Sequence, residues 1–372
     1  MLSKDHYVPI LKWKRGERSA LENVSSDLKN NMTPLIEIQP VPFDHPSGDF
    51  SKSLDEHLSN IGEQVQTSWN QSSPVFVDLN TLYNNEDFTD DSLSTGNHFV
   101  EFVVSEIESK GIPAIPVTGI FRYVEFHQAV KDVNNSYQHG VCIRLVESDL
   151  VDISVLRVNI DNLINFLEIE KESVDIILDY KQILSQTEQS HLNNLILTIA
   201  QLPYLQEWRS LILASTAYPS NLRQIPTNSN GTLPRTEWTV YQSLRNTGLA
   251  RIPSFSDYNI SHPDFVNLDP RIINMAAGIK YTTANEYLIF RGIGVKNNGF
   301  GQMVHLCQQV LNHPSYYGRT FSAGDEYIYN CANSVNSPGN AERWVNVGVN
   351  HHLTLVAYDL ANQHAVSTVD SR

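Results

Sequence analysis

Short apolar runs closed by a polar residue recur along the chain, each followed by a stretch with helical spacing of apolar positions. Pro34-Leu-Ile-Glu37-Ile, Pro74-Val-Phe-Val-Asp78-Leu, Gly140-Val-Cys-Ile-Arg144-Leu and Ser173-Val-Asp-Ile-Ile-Leu-Asp179-Tyr180 share the design, and Ile252-Pro-Ser-Phe-Ser-Asp257-Tyr258 is a later variant. Such runs read as buried strands, and the periodicity between them reads as amphipathic helix. Strands are expected at 7–14, 34–40, 75–79, 112–117, 141–146, 174–179, 211–215 and 252–257. Helices are expected at 16–24 and at about 53–67, 96–110, 121–133, 158–170, 185–201 and 237–245. Asn80 to Asp91 reads as a long acidic loop, and Asn228-Ser-Asn-Gly231 as a loop before the seventh helix.

Strands alternating with helices build a parallel sheet with helical crossovers. Eight units in about 260 residues fit a closed (β/α)8 barrel of the TIM type. An open doubly wound sheet has the same periodicity, but no Gly-rich fingerprint follows the first strand. Beyond residue 260 the pattern changes. Ala277–Thr282 and Glu286–Gly292 read as a hairpin inserted after strand eight, and 301–312 as a helix able to serve as the eighth barrel helix. Further helices are expected at 323–333 and 341–361. No Pro/Ser/Gly linker intervenes, so residues 1–260 are expected to supply the barrel and 261–372 an elaboration packed on the same domain.

Side chains alternate across a strand. In Ile36-Glu37-Ile38, Val77-Asp78-Leu79, Ile143-Arg144-Leu145 and Leu178-Asp179-Tyr180 the apolar neighbours belong against the helices, which turns Glu37, Asp78, Arg144 and Asp179 toward the barrel axis. The same reasoning directs Lys12, Lys14, Ser215 and Asp257 inward. Active sites of parallel barrels lie at the C-terminal rim, where these groups would converge. Glu37, Asp78, Asp179 and Asp257 are therefore candidates for acid–base work or metal ligation, with Asp78 and Asp179 the pair for Mg²⁺ or another hard divalent cation. Lys12, Arg144, Arg235 and Arg291 suit a phosphate or carboxylate, and Tyr281 is grouped with them as a substrate contact. The competing account is an internal ion-pair network in which the same cations neutralise the same carboxylates.

Charge and cysteine content narrow the classes. A formal net charge of −15 argues against non-specific nucleic-acid or anionic-membrane binding. Cys142, Cys307 and Cys331 form no CxxC pair, so neither a disulfide framework nor a zinc site is expected, and a reducing compartment is. With no apolar leader and no run long enough to span a bilayer, a soluble cytoplasmic protein is expected. Gly292-Ile-Gly294 with Gly299-Phe-Gly301 could cradle a phosphate or simply form a flexible hairpin exit. Asn350-His351-His352 lacks the HExxH spacing, and adjacent helical residues diverge by about 100°, so one of the two rings is expected to be buried and hydrogen-bonded. Nothing around Ser215 forms a nucleophile elbow. Tyr316, Tyr317, Phe321, Tyr327 and Tyr329 belong to the core or to an oligomer interface.

Tyr7-Val-Pro-Ile-Leu-Lys-Trp-Lys-Arg-Gly-Glu17 with Ala20-Leu21, and Pro34-Leu-Ile-Glu37-Ile, resemble the start of the phage beta-protein family. The Asp78, Arg144 and Asp179 strand ends, Phe255-Ser-Asp257-Tyr258, Ile279-Lys-Tyr281-Thr, Phe290-Arg291-Gly292 and Trp344 to His352-Leu are similar to it as well. The resemblance implies a phage or mobile-element setting and phage–host conflict, and it supplies no established reaction. Two functional readings follow. One is a barrel enzyme acting on a small anionic, phosphate-containing substrate, such as a metal-dependent hydrolase of phosphoesters. The other is a catalytically silent barrel that binds a ligand or partner protein in antiviral defence or counter-defence. The first predicts carboxylates around open coordination space; the second predicts each carboxylate capped by Arg or Lys.

Overall fold

The computed structural model describes residues 2–83, 92–185, 187–264 and 274–367. The acidic loop expected at 80–91 thus lies outside the described residues beyond Tyr83. The eight expected strands are all present: β1 (Tyr7–Leu11), β2 (Leu35–Glu37), β3 (Val75–Asp78), β4 (Ala114–Thr118), β5 (Val141–Val146), β6 (Val174–Gln182), β7 (Ser210–Thr216) and β8 (Ser254–Asp257). Each pairs in parallel with its sequence neighbours, and β1 joins β8 in the register Tyr7↔Phe255 and Val8↔Ser256, so the barrel is closed. Among the described residues no helix is long and apolar enough to cross a membrane.

Two apolar layers follow from strand alternation. Val8, Ile10, Leu35, Phe76, Ile115, Val117, Cys142, Ile177, Ile212 and Ala214 fill the barrel interior. Tyr7, Leu11, Ile36, Val77, Ile143, Leu145, Leu178, Leu213 and Phe255 face the helices. The interior stops short of both ends, where charged residues take over. At the N-terminal end Asp175 is bound by Arg209 through Nε (3.1 Å) and Nη2 (2.6 Å). That pairing satisfies a buried carboxylate far from the C-terminal rim, which in barrels marks a stabilising role.

The rest of the chain departs from expectation in two places. Asn228-Ser-Asn-Gly231, read as a loop, lies largely in a strand, Ser229–Pro234, paired antiparallel to Glu286–Gly294. The hairpin Ala276–Thr282/Glu286–Gly294 is therefore part of a three-stranded outer sheet. Side-chain polarity concealed this strand, because Ser229, Asn230 and Thr232 contribute backbone pairing and little burial. The expected eighth barrel helix, Met303–Leu311, instead packs with Ala323–Ala332 on the outer sheet, in a second core of Ile279, Tyr281, Phe290, Leu306, Ile328 and Val347. The long helix Ala341–Ser367 covers the barrel, sending Val349, Leu353, Val356 and Leu360 into the main core. Its approach to helix Arg15–Glu22 is close: a Cβ at Gly16 would stand 2.9 Å from the Glu342 carbonyl oxygen, and Asn350 Nδ2 donates to Ala20 O at 2.9 Å.

Candidate functional site at the barrel mouth

The C-terminal ends of β2, β3, β5 and β6 bring Glu37, Asp78, Arg144 and Asp179 together, as their inward parity requires. Arg144 is the hub. Its Nε donates to Asp179 Oδ2 (2.9 Å), and its Nη1 to Glu37 Oε1 (3.1 Å) and Asp78 Oδ2 (2.8 Å). Nη2 donates to the Tyr258 hydroxyl (2.6 Å) and contacts Asp179 Oδ2 at 2.8 Å. A guanidinium has five N–H donors, and four of them donate to partners within the protein, while the close Nη2–Asp179 contact adds an ion pair. Tyr258 passes its own proton donation to Asp179 Oδ2 at 2.6 Å. Burial raises the Tyr258 phenol well above its ordinary range, and neighbouring Asp179 and Glu37 add to the effect, so it stays protonated.

A second arginine supports the cluster from the loop after β4. Arg122 Nη2 lies 3.0 Å from Asp78 Oδ1, and its Nη1 donates to Val117 O at 2.5 Å. Burial would push the Asp78 carboxyl up, but Arg122 and Arg144 outweigh it and hold Asp78 below the usual carboxylate value. Asp78 Oδ1 also accepts from Asn80 N at 3.0 Å, and Asp179 Oδ1 from Lys181 N at 2.9 Å. Glu37 is the least satisfied of the three. Among the described residues its carboxylate receives, beyond Arg144, only a 3.3 Å contact from Gln39 Nε2. Arg122 and Tyr258 escaped the sequence reading, although both sit just past strand ends, where a search extended by a few residues finds them.

Above this floor opens a cavity of about 830 Å³, walled by Glu37, Asp78, Arg122, Arg144 and Tyr258, with Phe121, Asp149, Lys181 and Asp264 at its sides. Lys12 is buried beside it and donates to the Asp264 carbonyl at 2.7 Å. Desolvation lowers the Lys12 pKa, with Glu37 and Glu17 opposing. Asp78 and Asp179, the pair expected to hold a divalent cation, have the Arg144 guanidinium between them. Among the described residues no group of three or more His, Cys, Asp or Glu side chains is placed to hold a metal ion.

The other expected site residues lie elsewhere. On β8 the small Ser256 and then Tyr258 face inward, so Asp257 faces outward and accepts from Tyr7 OH (2.6 Å) and pairs with His352 Nε2 (2.8 Å). Ser215 likewise falls between the inward Ala214 and the strand end, against the helix layer. Lys14 is exposed ahead of helix Arg15–Glu22. The outer sheet holds the remaining three, with Arg235 and Tyr281 buried and Arg291 half-buried. Arg235 Nη1 donates to the carbonyls of Thr283 (2.7 Å) and Ala284 (3.1 Å), and Arg291 Nη1 to those of Leu222 (2.7 Å) and Ile225. Tyr281 OH donates to Asp325 Oδ1 at 2.7 Å. Their role is to satisfy carbonyls and a carboxylate that irregular backbone leaves inside. The glycine pair proposed as a phosphate cradle is filled by Gln302, whose Oε1 would stand 2.2 Å from a Cβ at Gly292. Both histidines of the Asn350-His351-His352 run are fully buried: His352 Nδ1 meets Thr282 Oγ1 (3.0 Å), while His351 meets Asp325 Oδ2 (2.8 Å) and Thr282 O (2.7 Å).

Among solved structures, triosephosphate isomerase from Bartonella henselae is similar at 10% identity and a TM-score of 0.34, over 68% of this chain and 92% of that one. That likeness is too distant to carry an argument, and the barrel rests on the strand pairing itself. No curated protein matches the sequence. The model of the Beta protein family matches residues 7–358, nearly the whole length, and the chain belongs to that family.

Proposed function

We propose that the barrel mouth is a binding site for a small polar molecule, and that the Arg144 cluster serves to hold its floor in shape. One observation carries this reading: every nitrogen of the central guanidinium donates inside the protein. Arg144 is thus a structural cation, and the ligand is met by the groups around it. A buried cluster in which each member is hydrogen-bonded holds its side chains in one arrangement, which preorganises a recognition surface. The cavity volume falls in the range of small-molecule sites.

Metal-assisted phosphoester hydrolysis asks Asp78 and Asp179 to exchange a guanidinium for a cation, which breaks buried pairs before any ligand is bound. A thermal-shift screen of amines, sugars, nucleotides, phosphates and divalent metals, repeated on Glu37→Gln, tests the reading. Stabilisation of the wild type by a small molecule, reduced in Glu37→Gln, supports it. Divalent metal binding accompanied by turnover of a phosphoester would replace it with the hydrolase.

A further inference from the structure

We infer that the ligand of the mouth is a small organic cation carrying an amine or guanidinium group. This rests on the binding-site reading above and adds its charge and chemistry.

The walls favour positive charge. Glu37, Asp78, Asp149 and Asp264 line the main cavity, and Asp179 lines a contiguous one of about 350 Å³ shared with Lys181 and Asp264. Against these five carboxylates stand Arg122, Arg144 and Lys181. Counting Lys12 as well leaves the carboxylates ahead. An anion entering here meets a surplus of its own sign in a partly desolvated space, which is a strong discriminating cost.

Hydrogen bonding points the same way. Every nitrogen of Arg144 already donates within the protein. Glu37, whose carboxylate lines the cavity, is an acceptor with room to spare: among the described residues its Oε2 has one partner, Gln39 Nε2 at 3.3 Å. A ligand rich in N–H donors supplies what this carboxylate lacks; a phosphate supplies more acceptors. Finally, Phe121 stands at the rim with its ring 79% exposed. An exposed aromatic face above carboxylates is a chemistry suited to a cation, which gains from the ring quadrupole and the charges together.

Isothermal titration of the full chain with agmatine, putrescine and tetramethylammonium, against inorganic phosphate, AMP and glucose, tests this. Agmatine or putrescine is expected to bind, with affinity falling as salt rises. Glu37→Gln is expected to weaken binding about tenfold or more, the loss of one charge-assisted contact. Phe121→Ala, an exposed change that leaves the fold intact, is expected to weaken it several-fold. Glu63→Gln, whose partner Lys110 is on the surface, is expected to leave it unchanged. Binding by phosphate, AMP or glucose with none by the cations overturns the inference and leaves a small-molecule site in place. If neither these probes nor the wider screen yields a ligand, the binding-site reading falls with it.

Discussion

Replacing Arg144 by Met removes the guanidinium while keeping an unbranched side chain in its place. In the folded wild type its side chain is 9% exposed, and those of Glu37, Asp78 and Asp179 are 7%, 1% and 0% exposed. Asp78 keeps Arg122 at 3.0 Å, but Glu37 and Asp179 lose their only arginine. Breaking a buried ion pair from one side costs about 3–5 kcal/mol, because the remaining charge is stranded. Asp179 retains the Tyr258 hydroxyl and Lys181 N, so the loss at neutral pH should stay within that range and not double. The sign of the pH dependence is fixed. In the variant a stranded carboxylate gains by taking a proton in the folded state, so stability rises as pH falls. In the wild type the depressed carboxyl of Asp78 does the reverse, contributing stability above its unfolded value of 3.8 and losing it as pH falls further. The gap between the two proteins should therefore narrow on acidification. Urea unfolding followed by circular dichroism at pH 8 and pH 5 measures it. A loss below about 1 kcal/mol at pH 8, or a gap that widens at pH 5, would refute the hub as described.

Other sites give independent tests. Glu17 is 4% exposed with Oε2 unpartnered, and burial, against the pull of Lys12 and Lys14, pushes its carboxyl from 4.5 up to about 7. The folded state holds that proton more tightly, so stability is lost as pH rises through the 4.5–7 window; Glu17→Gln should gain up to about 3 kcal/mol at pH 8 and almost nothing at pH 4.5. His191 is 1% exposed with neither ring nitrogen partnered, packed edge-on to Tyr180, and burial lowers its pKa from 6.5 to about 4. Protonation in the unfolded chain then drains stability as pH falls below 6.5, so His191→Leu should recover about 2 kcal/mol at pH 5 relative to pH 8; equal effects at both would count against a buried neutral ring. A Cβ at Gly324 would lie 2.4 Å from the Val347 carbonyl oxygen, whereas one at Gly248 meets nothing within 4 Å. Gly324→Ala should cost about 1–3 kcal/mol by thermal or urea unfolding, and Gly248→Ala close to none.

The barrel was legible because β-branched runs and their spacing encode strands that must be buried on both faces. The hub was legible for the same reason: once Ile36, Val77, Ile143 and Leu178 are assigned to the helix side, Glu37, Asp78, Arg144 and Asp179 have nowhere to go but inward. That logic failed on β8. Its inward positions hold Ser254 and Ser256, small residues opposite Ile212 and Ala214, so the rule that apolar neighbours face outward picked Asp257 as inward. Arg235, Arg291 and Tyr281 were misplaced because the outer sheet that buries them depends on a pairing between residues 229–234 and 286–291, which local patterning does not encode. The surroundings of Arg144 were likewise invisible, since they depend on Tyr258 and side chains from β2, β3 and β6 converging on one guanidinium.

The strand Ser229–Pro234 belongs to the outer sheet yet leaves the chain between β7 and β8. During synthesis it therefore emerges before the last barrel strand and waits for residues 286–291 to provide its one strand partner among the described residues. Until then its polar edge and the apolar flank of β1, later covered by Ala341–Ser367, stay open to water. The nascent chain can gather barrel strands early, but it cannot seal them until its final helix has been made. A free chain truncated before residue 286 should accordingly be protease-sensitive around 229–245, where the full chain is protected.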